Sequence, residues 1–341
     1  MNQTFGAAAP LEGAVPIAIA WSCVAWSLIA WFACVAAPLQ GAAEPAAPAA
    51  PIRVVATVGM VGDMVKAVGG ERVQVRTLMG PGVDPHLYKP TRDDVSALMD
   101  AQVVFHGGLM LEGKMTETLE RMGRRKPVVA VTSGLPADRV IHPQGAEGHP
   151  DPHVWMDVSL WGACGAVVAE TLARADPAGA EGYRSRAAAW ARECGALHEY
   201  GKRVLATVPE KSRILVTSHD AFRYFGRAYG LRVEGVQGIS TESEAGLQRI
   251  RELVGLVSEN GVQAVFVESS VPRKSIEAIV EGAKARGHTL RVGGELYSDA
   301  MGNAGTWEGT YLGMLDHNIT MVARALGGTA PEGGWKSERR P

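Results

Sequence analysis

From Arg53 onward, apolar residues fall in two alternating rhythms. Short runs rich in Val, Ile and Leu at Arg53–Val58, Val73–Met79, Gln102–His106 and Pro127–Val131 have the length and β-branching of strands. Between them, Asp93–Asp100 and Leu111–Arg124 carry apolar positions at helical spacing. A loop rich in Gly and Pro, Pro143–Pro152, interrupts this order. Two helical stretches follow, Asp157–Ala175 and a longer one, Ala178–Thr207, which is rich in Ala, Arg and Glu and has no internal proline. The alternation then restarts, with strands at Arg213–Thr217, Arg232–Val236, Ala264–Glu268 and Thr289–Val292. Its helices are expected at Asp220–Tyr229, Glu244–Asn260, Pro272–Arg286 and Thr306–Leu326. Alternation at this spacing implies βα units and parallel sheets. The expected fold class is α/β, with two parallel-sheet lobes, 53–177 and 208–330, bridged by a single long backbone helix, 178–207. Four strands in each lobe suggest a duplicated topology, and 331–341 reads as a mobile tail.

Upstream of Arg53 the pattern changes. Glu12 is the only charge there besides Glu44, and the run from Val15 to Pro38 has none. Such a run serves as a signal-peptide core or a membrane anchor. Leu39-Gln40-Gly41-Ala42-Ala43 ends in small residues suited to signal peptidase, and 44–52 reads as a linker. The favoured reading is a signal peptide, 1–43, removed after Ala43. The alternative is retention by residues 15–38 as an anchor, because the Lys or Arg that usually opens a signal peptide is missing. The residues before Cys23 and Cys34 do not make a good lipobox.

Composition narrows the classes further. The chain has 34 Lys and Arg against 36 Asp and Glu, so its net charge of −2 gives no basic face for nucleic acid. With 46% apolar and 21% charged residues it is a globular protein. The cysteines beyond the signal, Cys164 and Cys194, have no CxxC spacing. They fit either one disulfide between successive helices or two small buried thiols.

Ligands of open parallel sheets collect beyond the carboxyl ends of strands, so those ends carry the candidate chemistry. His86 lies in Asp84-Pro85-His86 after the second strand, and His153 lies in Asp151-Pro152-His153 at the start of a helix. His219 directly follows the Arg213–Thr217 strand, and Asp299 follows the last strand. Three imidazoles and a carboxylate on four connections, two from each lobe, suit a divalent transition metal. Each proline stiffens the approach to its histidine. Glu268 and Glu242 are candidates either to orient a ligand imidazole or to cap a helix. His106 is a candidate lining residue of the cleft, although packing is the commoner fate. His142 and His149 read as solvated loop residues, His198 and His288 as surface residues, and His317, Phe222 and Phe225 as packing residues. P-loop, GxGxxG, GxSxG and HExxH motifs are absent.

These segments carry a resemblance. Asp84–Tyr88 with Lys89-Pro90-Thr91, Asp151–Val158, Thr217–Phe225, Phe266–Pro272 and Leu296–Gly302 through Asn318 resemble the TroA-like metal-binding solute receptors of ABC importers. The likeness spans about Arg53 to Leu326, with the motifs in the family's order. It implies a helical-backbone receptor with Zn²⁺ or Mn²⁺ held between the lobes by His86, His153, His219 and Asp299 and handed to an ABC permease in the inner membrane. Members tied to manganese usually have Glu where this chain has His219. Dedicated zinc receptors often carry a long His-rich loop near Asp138–His149, where this chain has only His142 and His149. The expected protein is therefore a monomeric periplasmic receptor that is not an enzyme, with Zn²⁺ favoured and Mn²⁺ as the alternative. Two rival readings are a periplasmic zinc-dependent hydrolase and a receptor for a metal chelate. Four protein ligands filling the metal's shell argue against the hydrolase, which needs an open position. A site suited to a bare ion argues against the chelate.

Overall fold

The structure, a computed structural model, describes residues 50–143 and 148–339; the expected signal, anchor and most of the linker lie outside them. Eight strands alternate with ten α-helices among these residues. The N-terminal half contains β1 (Ile52–Ala56), β2 (Val73–Thr77), β3 (Val103–His106) and β4 (Val128–Ala130), all parallel, in the order β2-β1-β3-β4. The C-terminal half contains β5 (Ile214–Thr217), β6 (Arg232–Gly235), β7 (Ala264–Glu268) and β8 (Arg291–Leu296). There β5 pairs with β6 and β7 with β8, again parallel, while β5 and β7 lie side by side. The spatial order β6-β5-β7-β8 repeats that of the first half, so the duplication is one of topology.

The helices are α1 (Gly59–Gly69), α2 (Arg92–Asp100), α3 (Thr116–Gly123), α4 (Val158–Ala175), α5 (Ala180–Leu205), α6 (Arg223–Tyr229), α7 (Leu247–Glu259), α8 (Lys274–Ala285), α9 (Tyr311–Ala325) and α10 (Gly334–Glu338). The bridging helix α5 has 26 residues, about 39 Å at 1.5 Å per residue. Its buried stripe, Tyr183, Ala187, Trp190, Cys194, Leu197, Gly201 and Val204, recurs every three or four residues. That stripe packs on α4, on α1 of the first half and on α9 of the second.

Alternate residues of the C-terminal strands divide between two cores. Leu215, Ala264 and Phe266 join a core that runs without a break from β1 through α4 and α5 to α9. Ile214, Val216, Val265 and Val267 face the other way, under α7 and α8. Because the first core passes through both halves and the bridge, they form one body.

Four local expectations are corrected. Helix α1 was not foreseen: Gly59, Gly62, Gly69 and several valines give it poor intrinsic propensity, and burial against the sheet overrides this. The last strand runs from Arg291 to Leu296, not from Thr289 to Val292, because Gly293-Gly294 continues it through a bulge opposite Val265/Phe266. Gly294 has φ +150°, and a Cβ on Gly293 would crowd Phe266 and Ala325, so these glycines admit α9 to the strand. The stretch Leu111–Arg124 opens with a 3₁₀ turn, Gly113–Met115, before α3. Finally, residues 331–339 dock instead of forming a mobile tail. Trp335 is buried, and Asp316 accepts the backbone N–H groups of Trp335 (2.7 Å) and Lys336 (3.0 Å).

Candidate metal centre

Four loops deliver the candidate residues to one point between the halves. His219 lies two residues past β5 and Asp299 three past β8. His86 lies in the loop after β2, which is held by a Thr91–Asp94 capping box at the start of α2 and by Tyr88 Oη donating to Asp94 (2.6 Å). His153 precedes α4, whose N-cap Asp157 accepts from Ser159 N–H (3.1 Å) and Leu160 N–H (3.3 Å). In both Asp-Pro-His tripeptides the aspartate accepts the backbone N–H of the histidine, at 2.8 Å from Asp84 and 2.9 Å from Asp151. Each tripeptide is thus an Asx turn with its φ set by proline, which aims the imidazole inward. This role of Asp84 and Asp151 was not read from the sequence, although Asx-Pro at fixed spacing from a candidate ligand is the signal that marks it.

One donor atom from each of His86, His153, His219 and Asp299 lies within 4.8 Å of all the others. His153 Nε2 is 3.3 Å from His86 Nε2 and 3.4 Å from His219 Nε2. Asp299 Oδ2 is 3.2 Å from His219 Nε2 and 4.0 Å from His86 Nε2, and Oδ1 is 3.4 Å from His153 Nε2. All four side chains are buried; His86, 4% exposed, is the one that borders solvent. It lines the floor of a cleft of about 530 Å³ whose rim includes Met110, His149, Arg223 and Glu242.

Buried acceptors fix the two innermost imidazoles. His153 Nδ1–H donates to Asp151 Oδ1 (2.8 Å) and His219 Nδ1–H to Glu268 Oε2 (2.5 Å), while Glu268 Oε1 accepts His219 N–H (2.8 Å). A carboxylate only accepts, so Nδ1 carries a hydrogen in both rings and Nε2 is the atom that points inward. Glu268 therefore orients the His219 imidazole; α8 takes no side-chain cap from it. Neither oxygen of Asp299 completes a well-aligned hydrogen bond, although both are buried. Inward-facing Nε2 atoms and a buried anion converging on one point fit a cation, and these residues can hold one metal ion.

The protonation pattern shows the same demand for positive charge. Burial disfavours the charged form of His153, but Asp151 and Asp299 outweigh it and raise its pKa to about 9. His219 is also pulled down by burial and raised well above the usual value by Glu268 and Asp299. Burial opposes ionisation of Asp299 too, yet the two histidines hold it well below the ordinary carboxylate range. His86 behaves oppositely: burial, with help from the neighbouring imidazoles and against Asp299, lowers it to about 4, so it is neutral at pH 7.

The other candidates lie elsewhere. His106 faces Glu112 (3.6 Å), itself buried and bonded by Thr57 Oγ1 (2.6 Å) and Gly107 N–H (2.7 Å). Glu242 is exposed at the rim, 3.9 Å from Lys114. Its neighbour Thr241 reaches across the cleft and donates its hydroxyl to Asp84 Oδ2, a contact the sequence did not reveal. His142 is exposed, and His149 Nδ1 touches Met110 Sδ (3.1 Å). His198 is half-buried against Tyr229 instead of lying on the surface, whereas His288 and His317 donate to the carbonyls of Val262 (2.6 Å) and Glu295 (2.9 Å). Phe222 and Phe225 are core, and Cys164 and Cys194 are buried free thiols.

Two parallel α/β halves on a helical bridge, enclosing a buried ring of three imidazoles and one carboxylate, define a metal-binding solute receptor. The chain belongs to the ZnuA family, the periplasmic component A of zinc-uptake complexes, which it matches over residues 54–325. It is 47% identical over 274 residues to the manganese-binding lipoprotein MntA of Bacillus subtilis, covering 80% of this chain and 89% of that protein. It is 44% identical over 273 residues to the zinc-binding protein TroA of Treponema pallidum, covering 80% and 88%. The TroA structure superposes with a TM-score of 0.78 over 81% of this chain and 99% of that one. Fe(III)-bound YtgA from Chlamydia trachomatis superposes with a TM-score of 0.75 at 29% identity, over 82% and 100%. Other relatives are named substrate-binding lipoproteins of ABC transporters, and this chain, as a member of the same family, is a receptor and not an enzyme.

Proposed function

We propose that this protein captures a divalent transition metal at His86, His153, His219 and Asp299 and delivers it to an ABC permease in the inner membrane. The observation that carries this is the inward convergence of two oriented Nε2 atoms, a third, neutral imidazole and a buried carboxylate without a well-aligned hydrogen bond. Zn²⁺ is the favoured cargo and Mn²⁺ the alternative. Relatives named for manganese, zinc and iron support a transition metal without selecting one. Three imidazoles select zinc, because nitrogen donors follow the Irving–Williams order, in which manganese binds weakest.

The receptor works as a monomer in the periplasm, exported by residues 1–43 and cleaved after Ala43. Among the described residues no helix is long and apolar enough to cross a membrane. The Bacillus relative is named a lipoprotein, whereas the residues before Cys23 and Cys34 here do not favour lipidation. Metal analysis of untagged protein purified without added metal, followed by competition against a chromogenic chelator, tests the cargo. Zinc bound more tightly than manganese is the expected result; manganese equal to or tighter than zinc would overturn the assignment.

A further inference from the structure

Asp299 differs from the other candidate ligands in how it is held. Asp151 and Glu268 fix the rings of His153 and His219, and Asp84 fixes the backbone of His86. The Asp299 carboxylate, by contrast, is 1% exposed and completes no well-aligned hydrogen bond of its own. Its Oδ2 faces His219 Nε2 at 3.2 Å and its Oδ1 faces His153 Nε2 at 3.4 Å, so both oxygens point into the ring of imidazoles. With no donor outside that ring, the direction of this side chain is inherited from the backbone that carries it.

That backbone has left the sheet. The last residue pair of β7 and β8 is Glu268 with Leu296, and Ser269 N–H on Leu296 O (3.0 Å) closes the ladder. Tyr297 and Ser298, which lead to Asp299, lie beyond it, and side chains take the place of a neighbouring strand. Asn318, in the middle of α9, accepts Tyr297 N–H on Oδ1 (3.0 Å) and donates Nδ2–H to Tyr297 O (2.7 Å). One amide thus makes the two-bond exchange that a residue in an antiparallel partner strand would make. One residue further, Ser298 O accepts Trp155 Nε1–H (2.8 Å), and Ser298 Oγ lies 3.0 Å from Ser270 Oγ.

Nothing in α9 itself calls for an asparagine. Asn is a poor residue for a helix interior because its amide competes for backbone groups, and a buried amide is costly unless it is hydrogen-bonded. Asn318 is fully buried, and its helix neighbours Leu315, Ile319 and Val322 are apolar core. Both its polar atoms go to Tyr297, 21 residues away in sequence.

We propose that Asn318 is a positioning residue for Asp299: by extending the order of β8 to Tyr297, it fixes the direction from which both carboxylate oxygens meet the ion. The proposal rests on the proposed metal capture. It adds that affinity depends on a side chain whose hydrogen bonds reach neither the ion nor a ligand.

Asn318→Leu keeps the branched shape and removes both bonds. Asn318→Ser, which leaves room for a water on Tyr297, is the milder change and decides the matter if the first variant does not fold. Ile319→Ala, at the next residue, which packs towards Gly201 of α5, lowers stability without touching those bonds. Each variant is titrated with Zn²⁺ against a chromogenic chelator, and with Co²⁺, whose visible absorption reports the geometry of its donors. Loss of a partner behind a metal ligand typically weakens binding about 10–100-fold. That drop is expected for Asn318→Leu and a smaller one for Asn318→Ser, with an altered Co²⁺ spectrum in both. Ile319→Ala should melt lower yet match the parent in zinc affinity and in Co²⁺ spectrum. Unchanged affinity and spectrum in the Asn318 variants, or an equal change in Ile319→Ala, would overturn the proposal. A parent protein that binds neither ion would overturn the metal reading itself, and this proposal with it.

Discussion

At the residue scale, the site differs from a set of exposed histidines because burial and neighbouring carboxylates push its imidazoles apart in pKa. Metal needs bare Nε2 atoms, and at pH 7 His86 already offers one while His153 and His219 hold protons against Asp299. Zinc binding at neutral pH should therefore release between one and two protons, and apparent affinity should keep rising with pH up to about 9. The sign for stability follows from the same shift. The raised pKa of His153 stabilises the metal-free fold fully below the unfolded value near 6.5, and this is lost as pH climbs through about 9. Zinc titrated calorimetrically in two buffers of different ionisation enthalpy measures the release; equal apparent heats in both would contradict it.

The ligand assignment has its own residue-level test. A ligand present at about 100 times its dissociation constant adds roughly 2.7 kcal/mol to the native state, a rise of several degrees in melting temperature. His153→Ala should abolish most of that rise. His198→Ala, whose ring packs on Tyr229 outside the cluster, should keep it. Thermal melts with and without zinc decide, and the same response from both variants would mean that the four residues are misassigned.

At the scale of elements, close packing outweighs intrinsic preference. Helix α1 lies so near the sheet that a Cβ on Gly62 would overlap Thr77 Oγ1. Alanine is the better helix former by about 1 kcal/mol, yet overpacking typically costs about 1–3 kcal/mol. Gly62→Ala should therefore destabilise the protein, as read by urea denaturation; a gain in stability would show that the helix has room to move. The same physics explains why α1 was hidden in the sequence while α5 was legible. The stripe of α5 announces itself by periodicity, whereas the burial of α1 depends on Ala56 and Thr77, which other segments supply.

At the scale of the whole molecule, the two halves are tied across the site. Trp155 Nε1 donates to Ser298 O (2.8 Å), next to Asp299, and Tyr311 Oη donates to Trp155 O (2.8 Å). Asp63 of α1 accepts Tyr311 N–H (2.8 Å) at the start of α9, and Tyr224 Oη donates to Asp151 O (3.0 Å). With a core shared by both halves, wide hinge opening would break these bonds and expose apolar surface. The looser side is the cleft mouth, where Thr241 holds Asp84 and Asp84 holds His86. Thr241→Val keeps the shape and removes that hydrogen bond to a charged group, worth about 1.5 kcal/mol. Zinc dissociation followed by stopped flow with a chelator should quicken by about tenfold; an unchanged rate would place the release step elsewhere.

Local chemistry determined much of this protein before any folding is considered. The strand–helix alternation, the proline-free bridge and the four metal-ligand candidates are properties of short segments, visible because periodicity and residue type act over a few positions. Tertiary structure decided what depends on distant partners. It assigned Glu268 to His219 rather than to a helix cap, placed Asp151 behind His153, carried the last strand through Gly293-Gly294 because α9 needs the space, and docked Trp335 onto Asp316. Each joins side chains from separate segments, and their energies come from burial and from the charge of neighbours that no local window of sequence contains.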